Sequence, residues 1–303
     1  MNNNAVDYIS KYTDFIKKQA LIKRPMSIVC DASNGTASIV LKKLTNIPNL
    51  KLILINTELN ADFPAHGPNP LEPGATDDIS KKVIETKADF GVVFDADGDR
   101  AFFVDNTGKI VPSFVSAMIL FKNTKPPFVT DELVYMSLSS SGLLDQKDII
   151  PTPVGSIFIK EAMKKSDAVL GAEYSGHFYF KNFFGLDSGI LTMINMTNTI
   201  SNQEKTFAQL HAEISNQYTG MANVNLKKAS WLQVKDALKK ETASYAKDYA
   251  ERDGLTFTIK NGWVNVRPSN TEPLVRISVG TQSEKETTNA IADTVKIITK
   301  ADV

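Results

Sequence analysis

The stretch that most constrains this chain is Gly91-Val92-Val93-Phe94-Asp95-Ala96-Asp97-Gly98-Asp99-Arg100-Ala101-Phe102-Phe103-Val104. Its two apolar flanks are rich in β-branched and aromatic residues and read as strands buried on at least one face. Between them Asp95, Asp97 and Asp99 alternate with small residues, and Arg100 closes the loop. Carboxylates this close repel one another, and a divalent cation relieves the repulsion; hard oxygen ligands suit magnesium, manganese or calcium. The competing reading is an acidic surface turn between two strands. The apolar run feeding straight into the loop and the arginine ending it favour a metal loop with Asp95, Asp97 and Asp99 as ligands. An EF-hand does not fit, because Arg100 takes the place of the turn glycine and Asn106 that of the bidentate glutamate.

A chain of 303 residues is long enough for two or three domains, each with its own core. Its 34 basic and 34 acidic residues cancel, which argues against a general binder of nucleic acid or membrane surfaces. The single cysteine, Cys30, excludes an intrachain disulfide and fits a reducing cytoplasm. It lies in the apolar run Ser27-Ile28-Val29-Cys30, where a buried structural thiol is expected. Met1-Asn2-Asn3-Asn4-Ala5 lacks the basic start and apolar core of a signal peptide. No apolar run approaches the ~20 residues of a membrane helix. A soluble, cytoplasmic protein is expected.

In chain order, Tyr8, Ile9, Tyr12, Phe15 and Ile16 give an amphipathic helix over Asp7 to Ala20, ending before Arg24-Pro25. Ser27 to Cys30 reads as a buried strand. The polar turn Asp31 to Ser38 follows, then a helix through Leu44; strand, small polar loop and helix form the α/β signature. That turn could hold an anion, but it is no G-x-G-x-x-G motif, and a structural turn is expected. Leu52 to Ile55 is the next strand, Asp62 to Gly74 a proline-stiffened loop, and Thr76 to Thr86 a helix. Asp105-Asn106-Thr107-Gly108 turns the hairpin after the acidic loop. A second α/β unit begins near Ile110, with a helix over Phe114 to Phe121, a strand over Glu132 to Met136 and a loop at Ser139 to Gly142. Pro151 to Ser156 is a loop before a helix over Ile157 to Lys164, and Ala168 to Leu170 is a strand. Helices are expected at Ile190 to Ile200, Thr206 to Tyr218 and Val234 to Glu251. Strands at Thr256 to Ile259, Trp263 to Val266 and Leu274 to Val279, with a closing helix over Ser283 to Thr299, suggest a small α+β domain.

Two further loops carry chemistry. In Gly171-Ala172-Glu173-Tyr174-Ser175-Gly176-His177 the glycines allow carboxylate, hydroxyl and imidazole to converge. Glu173 and Ser175 can bond vicinal hydroxyls and His177 can donate to an oxygen; an ordinary turn with a structural histidine is the alternative. Arg267-Pro268-Ser269-Asn270-Thr271-Glu272-Pro273 gathers a guanidinium fork, hydroxyls, an amide and backbone N–H groups, the donors a phosphate dianion accepts, with Arg276 on the following strand. A polar hairpin is the alternative there.

Taken together, the chain resembles the α-D-phosphohexomutases, most closely the bacterial phosphomannomutase/phosphoglucomutase branch. Phe94 to Arg100 resembles that family's metal loop, Gly171 to His177 its sugar loop, Arg267 to Pro273 its phosphate loop and Phe63 to Pro73 its proline-rich segment. The resemblance covers residue 8 to the C-terminus. It implies two related α/β domains with three layers and mixed sheets, at 25–109 and 110–218. A smaller α+β domain with an antiparallel sheet follows at 219–303, and residues 1–24 are the end of a first domain. It implies Mg2+ on Asp95, Asp97 and Asp99, with Arg100 facing the phosphoryl group. Glu173, Ser175 and His177 would meet the sugar; Arg267, Ser269, Asn270, Thr271 and Arg276 the non-reacting phosphate. Thr152 and Gly155 join them as substrate-binding candidates. The implied activity is a mutase exchanging hexose 1- and 6-phosphates through a phosphoserine and a bisphosphate intermediate.

The sequence departs from the family pattern twice. The family's serine lies in a threonine-alanine-serine-histidine-asparagine-proline type motif, and none occurs in these 303 residues. The expectation is that the chain begins where domain one stops. It would then lack the nucleophile and the fourth metal ligand, be inactive alone and bind metal with about millimolar affinity. A separate phosphoserine-bearing domain is a candidate partner, beside the hexose phosphates. Second, the strand Leu133 to Met136 would put Leu138 where the family has a lysine near the substrate. A non-catalytic phosphosugar-binding or regulatory protein is the alternative. A haloacid-dehalogenase-like phosphatase is a third reading, in which Asp99 stands where threonine or valine belongs. The sequence leaves mannose, glucose or another hexose open.

Overall fold

The computed structural model describes residues 7–215, 217–269 and 272–302. Its elements, in order, are α1 Tyr8–Gln19, β1 Met26–Asp31, α2 Ala37–Leu41, β2 Leu50–Ile55, α3 Asp77–Thr86, β3 Phe90–Phe94, β4 Ala101–Asp105, β5 Ile110–Val111 and α4 Ser113–Lys122. There follow β6 Phe128–Asp131, α5 Glu132–Ser141, β7 Ile149–Thr152, α6 Ser156–Ser166, β8 Leu170–Ala172, β9 Phe178–Phe180, β10 Leu186–Asp187, α7 Gly189–Ser201 and α8 Phe207–Ile214. The last part is β11 Tyr218–Asn225, α9 Trp231–Thr242, β12 Lys247–Ala250, β13 Leu255–Ile259, β14 Gly262–Pro268, β15 Leu274–Thr281 and α10 Glu284–Ala301. The architecture is mixed α/β, two mixed sheets followed by an antiparallel one, as the sequence implies. No described helix is long and apolar enough to cross a membrane. Residues up to 128 with 163–215 form one compact unit, and 129–162 with the remainder form a second.

In the first unit β2, β1 and β3 run parallel, and β4 and β5 add antiparallel. Parallel strands are covered on both faces and read as continuous apolar runs; Ile28, Val29, Cys30, Phe90, Val92, Val93 and Phe94 are all fully buried. Helix α3 packs Ile79 and Val83 against this sheet, and Lys87 ends it in the left-handed region. Helix α1 starts as the sequence expects, with the Asp7 carboxylate accepting the Ser10 N–H at 2.9 Å. Helix α8 is fixed to the β4–β5 turn by two polar contacts. His211 Nδ1 lies 2.8 Å from Asp105 Oδ2, and the Ala208 N–H donates to Asn106 Oδ1 at 2.9 Å.

In the second unit, the antiparallel sheet β11-β15-β14-β13-β12 carries α9 and α10 over a core of Val234, Leu238, Leu255, Phe257, Val264, Val266, Val275, Ile277, Val279 and Ile298. Each such side chain stabilises by about 1.5–3 kcal/mol when buried, which is why these short strands hold together.

Several expected elements are corrected. Glu132 to Met136 is not a strand and Ser139 to Ser141 not a loop: both lie in α5, and the strand is β6, just before it. The Asp131 carboxylate caps α5 by accepting the Val134 N–H at 2.8 Å, and Gly142 ends it at φ +66°. Leu138 is therefore a fully buried helical residue, not a post-strand loop position. The helix expected to reach Tyr218 stops at Ile214, and Tyr218 begins β11. The helix expected to reach Glu251 is capped by Ser230 and Gln233 and ends at Thr242, with β12 following as an edge strand.

Candidate active site

Phe94 pairs with Ala101, so Asp95–Arg100 is the whole β3–β4 connection. Gly98, at φ +78°, lets the chain reverse between Asp97 and Asp99. Neighbouring segments clamp the loop. The Ser33 hydroxyl donates to the Phe94 carbonyl. The Thr36 N–H donates to Ala96 O at 2.8 Å, and its hydroxyl lies 3.0 Å from Asp97 O. The Ala96 N–H donates to Pro68 O at 3.1 Å, so the proline-stiffened loop is part of the clamp. Gly35 fits only because it has no side chain: a Cβ there would lie 2.3 Å from Ala96 O. The Asp31 to Ser38 turn is thus structural, as expected, and its structure serves the acidic loop. Buried Asp31 accepts Asn56 Nδ2 at 2.8 Å and faces His66 Nε2 at 3.3 Å. Hydrogen bonding to Asp31 raises the His66 pKa against the opposing pull of burial.

Asp95, Asp97 and Asp99 each offer a carboxylate oxygen within 4.8 Å of the others. Asp95 is buried; its Oδ1 accepts the N–H groups of Gly98 and Arg100 at 3.2 and 3.1 Å. Its Oδ2 pairs with Arg100 Nε at 2.5 Å, and Arg100 Nη1 reaches Asn69 Oδ1 at 3.3 Å. Arg100 is thereby held in place by Asp95 and Asn69. Asp97 is exposed, whereas Asp99 Oδ1 is buried with no hydrogen-bond partner among the described residues. A buried carboxylate oxygen left orphaned costs about 1–3 kcal/mol. An all-oxygen, acidic donor set with one such orphan fits a hard divalent cation.

The 171–177 loop belongs to this same site. The Ala101 N–H donates to Gly176 O at 3.0 Å, and Arg100 and His177 form a β-bridge. His177 Nε2 lies 3.5 Å from Asp99 Oδ2, and its Nδ1 lies 2.8 Å from Ser175 Oγ. Burial pulls the His177 pKa down, but the hydrogen bond and charge of Asp99, with the charges of Glu173 and Asp187, outweigh it and raise the pKa. Gly176, at φ +90°, has Phe102 ring atoms where a Cβ would sit, the closest 2.7 Å away. Glu173 is 97% removed from solvent and accepts the Tyr179 hydroxyl. Burial first, then the Glu173 charge, drives the Tyr179 pKa upward, so the phenol stays protonated and donating. The Gly189 N–H, opening α7, donates to Gly98 O at 3.2 Å and closes the ring of contacts. Sequence reading passed over Tyr179 and gave Asp187 no role in the site; it placed Gly35 and Thr36 in a structural turn without tying that turn to the acidic loop. Asp187 was detectable as a carboxylate just before Ser188-Gly189, and it joins Asp99 and His177 in a second cluster of possible ligands.

The remaining candidates lie in the second unit. Arg267 and Arg276 are direct cross-strand partners on β14 and β15. Arg267 Nε is 3.7 Å from Asp253 Oδ2, and Arg276 Nη2 is 3.4 Å from Glu272 Oε2. Ser269 donates its N–H to Leu274 O at 2.8 Å; Asn270 and Thr271 lie outside the described residues. Thr152, at the end of β7, gives its hydroxyl to Thr130 O at 3.2 Å, and Gly155 takes φ +136°.

Three family descriptions match: phosphoglucomutase/phosphomannomutase alpha/beta/alpha domain II over residues 7–108, domain III over 127–218 and the C-terminal domain over 221–297. The phosphomannomutase of Methanocaldococcus jannaschii is 28% identical over 303 residues, across 98% of this chain and 66% of its own length. The phosphomannomutase/phosphoglucomutase of Pseudomonas syringae pv. tomato is 30% identical, across 93% of this chain and 62% of its own. The chain thus spans less than two thirds of these relatives. A solved phosphoglucomutase/phosphomannomutase family protein from Burkholderia thailandensis shares the fold, with a TM-score of 0.82 at 24% identity over 97% of this chain and 65% of that one. Successive domain matches over nearly the whole chain, on the fold expected of them, show that it belongs to the phosphoglucomutase/phosphomannomutase family.

Proposed function

We propose that this chain supplies the metal, sugar and phosphate loops of a phosphohexomutase exchanging hexose 1- and 6-phosphates of mannose, glucose or both. We read residues 25–109, 110–218 and 219–303 as its domains. The observation that carries this is the fusion of the acidic loop and the 173–177 loop into one hydrogen-bonded site. A metal loop joined to a hydroxyl-binding loop brings phosphoryl charge and sugar together. The family is generally Mg2+-dependent, and Asp95, Asp97 and Asp99 would hold the ion, which supplies charge neutralisation at a transferring phosphoryl group. Arg100, aimed by Asp95 and Asn69, faces that group. Ser175 and His177 orient sugar oxygens, with Glu173 fixed behind them by Tyr179. The facing pair Arg267 and Arg276 supports the phosphate role: like charges opposite one another on a sheet destabilise it, and an anion reverses that cost. Transfer needs a phosphorylated serine from an α/β domain outside these residues, in the same or another polypeptide.

Because no serine motif of the family type occurs in residues 1–303, a non-catalytic phosphosugar binder is the second reading. A phosphorylated serine-bearing domain restores turnover under the first reading and does nothing under the second. Mn2+ titration followed by electron paramagnetic resonance tests the metal loop itself. One site of about millimolar affinity is expected, lost in Asp97→Asn and Asp99→Asn; equal binding by those variants would sink the assignment.

A further inference from the structure

We infer that Asp253 is a positioning residue that holds the Arg267 guanidinium toward a phosphate and ties it to the 151–156 loop. The inference rests on the reading of Arg267 as a phosphate ligand. Three observations carry it. First, Asp253 is placed rigidly. Its carbonyl accepts Asn265 Nδ2 at 2.8 Å, and Asn265 is fully buried and also bonds Thr256 Oγ1 at 3.0 Å. The next residue, Gly254, has φ +73°, and a Cβ there would lie 2.3 Å from Val266 O, so the turn has one packing. The preceding residue, Arg252, forks onto fully buried Glu132 at 2.7 and 3.1 Å and lies over the Tyr135 ring. A turn pinned on both sides cannot move its carboxylate far.

Second, Asp253 orients Arg267 without using up its donors. The side chains are 15% and 16% exposed, and Nε and Oδ2 approach to 3.7 Å, beyond hydrogen-bond length. Both atoms are buried with no hydrogen-bond partner among the described residues. The contact is an attraction through space that fixes the Nε edge and leaves the two Nη groups for the forked recognition a phosphate favours. Third, burial raises the Asp253 pKa while the Arg267 charge and, after it, the Val154 N–H pull it down, so the acid facing the arginine also meets the loop carrying Thr152 and Gly155.

Calorimetric titration of the full chain with glucose 1-phosphate tests this in wild type, Asp253→Asn and Asp253→Glu. Removing a negative charge beside an anion site should by Coulomb's law alone tighten binding. Positioning demands the opposite sign: about tenfold weaker binding in Asp253→Asn, the scale seen when groups that orient ligands are lost, with recovery in Asp253→Glu. The Arg267 Nε–Hε resonance, assigned by its loss in Arg267→Lys, should shift in Asp253→Asn without ligand. Asp253→Ser replaces the asparagine variant if the latter does not fold. Binding as tight as wild type with an unmoved resonance would overturn the inference. If the wild type takes up no glucose 1-phosphate, the functional reading fails and the resonance alone decides: a shift upholds Asp253's hold on Arg267, and no shift refutes it.

Discussion

Gly35→Ala perturbs the acidic loop without touching a carboxylate. The new methyl would sit 2.3 Å from Ala96 O and 2.8 Å from Ala96 C, where ordinary contact begins near 3.4 Å. Both atoms are backbone, so no side chain can swing away. Either the 33–36 turn or the 95–99 loop must move by about 1 Å, and overpacking of this kind costs about 1–3 kcal/mol. Movement also strains the Thr36-to-Ala96 hydrogen bond of 2.8 Å, worth about 1 kcal/mol. The sum is about 2–4 kcal/mol. For a unit of this size that lowers the melting temperature by roughly 4–16 °C. Because Ala96 lies between Asp95 and Asp97, divalent-metal affinity should fall as well. Scanning calorimetry and a Mn2+ titration on the same preparation read both effects. An alanine variant with unchanged melting and unchanged metal affinity would refute the clamp.

Other substitutions probe separate contacts. Burial pushes the Asp105 carboxyl up, but bonds from His211, Thr107 and Lys109 more than offset this and hold it at about 2, below the ordinary 3.8. A depressed carboxylate stabilises fully above its unfolded pKa and loses that stability as pH falls from about 4 through about 2. Asp105→Asn should therefore cost about 2 kcal/mol near neutrality and flatten the acid limb of the stability profile; an unchanged limb excludes the linkage. Tyr179→Phe leaves a buried Glu173 oxygen short of a donor, at about 1–3 kcal/mol, and should weaken hexose phosphate binding, a reading abandoned if neither quantity moves. Arg252→Ala strands fully buried Glu132 and should cost about 3 kcal/mol, measured by denaturant unfolding; a loss within about 0.5 kcal/mol would show that Glu132 finds another partner.

The acidic loop was legible because its signal is local. Crowded carboxylates between two apolar runs leave few alternatives, and β1 and β3 appear as continuous apolar runs because parallel strands are covered twice. Leu133-Val134-Tyr135-Met136 misled for the same reason. Its branched and aromatic residues read as a strand, while the decisive features were the Asp131 cap and Glu132 paired with Arg252, 120 residues away. Strands of three or four residues such as β9 and β12 are too short to show a period. The clamp on Ala96 and the hold on Arg267 depend on pairings that only the fold creates. Asp253-Gly254 has the composition of a turn, but nothing local shows which side chain its carboxylate meets.

We propose that these residues bind a phosphosugar and a metal but take a phosphoserine from elsewhere to turn the sugar over. Phosphorus NMR of the chain with glucose 1-phosphate and Mg2+ measures both halves at once. The glucose 1-phosphate resonance should broaden in the presence of the chain, with no glucose 6-phosphate signal growing over hours. Accumulation of glucose 6-phosphate, or a resonance the chain leaves untouched, would contradict it.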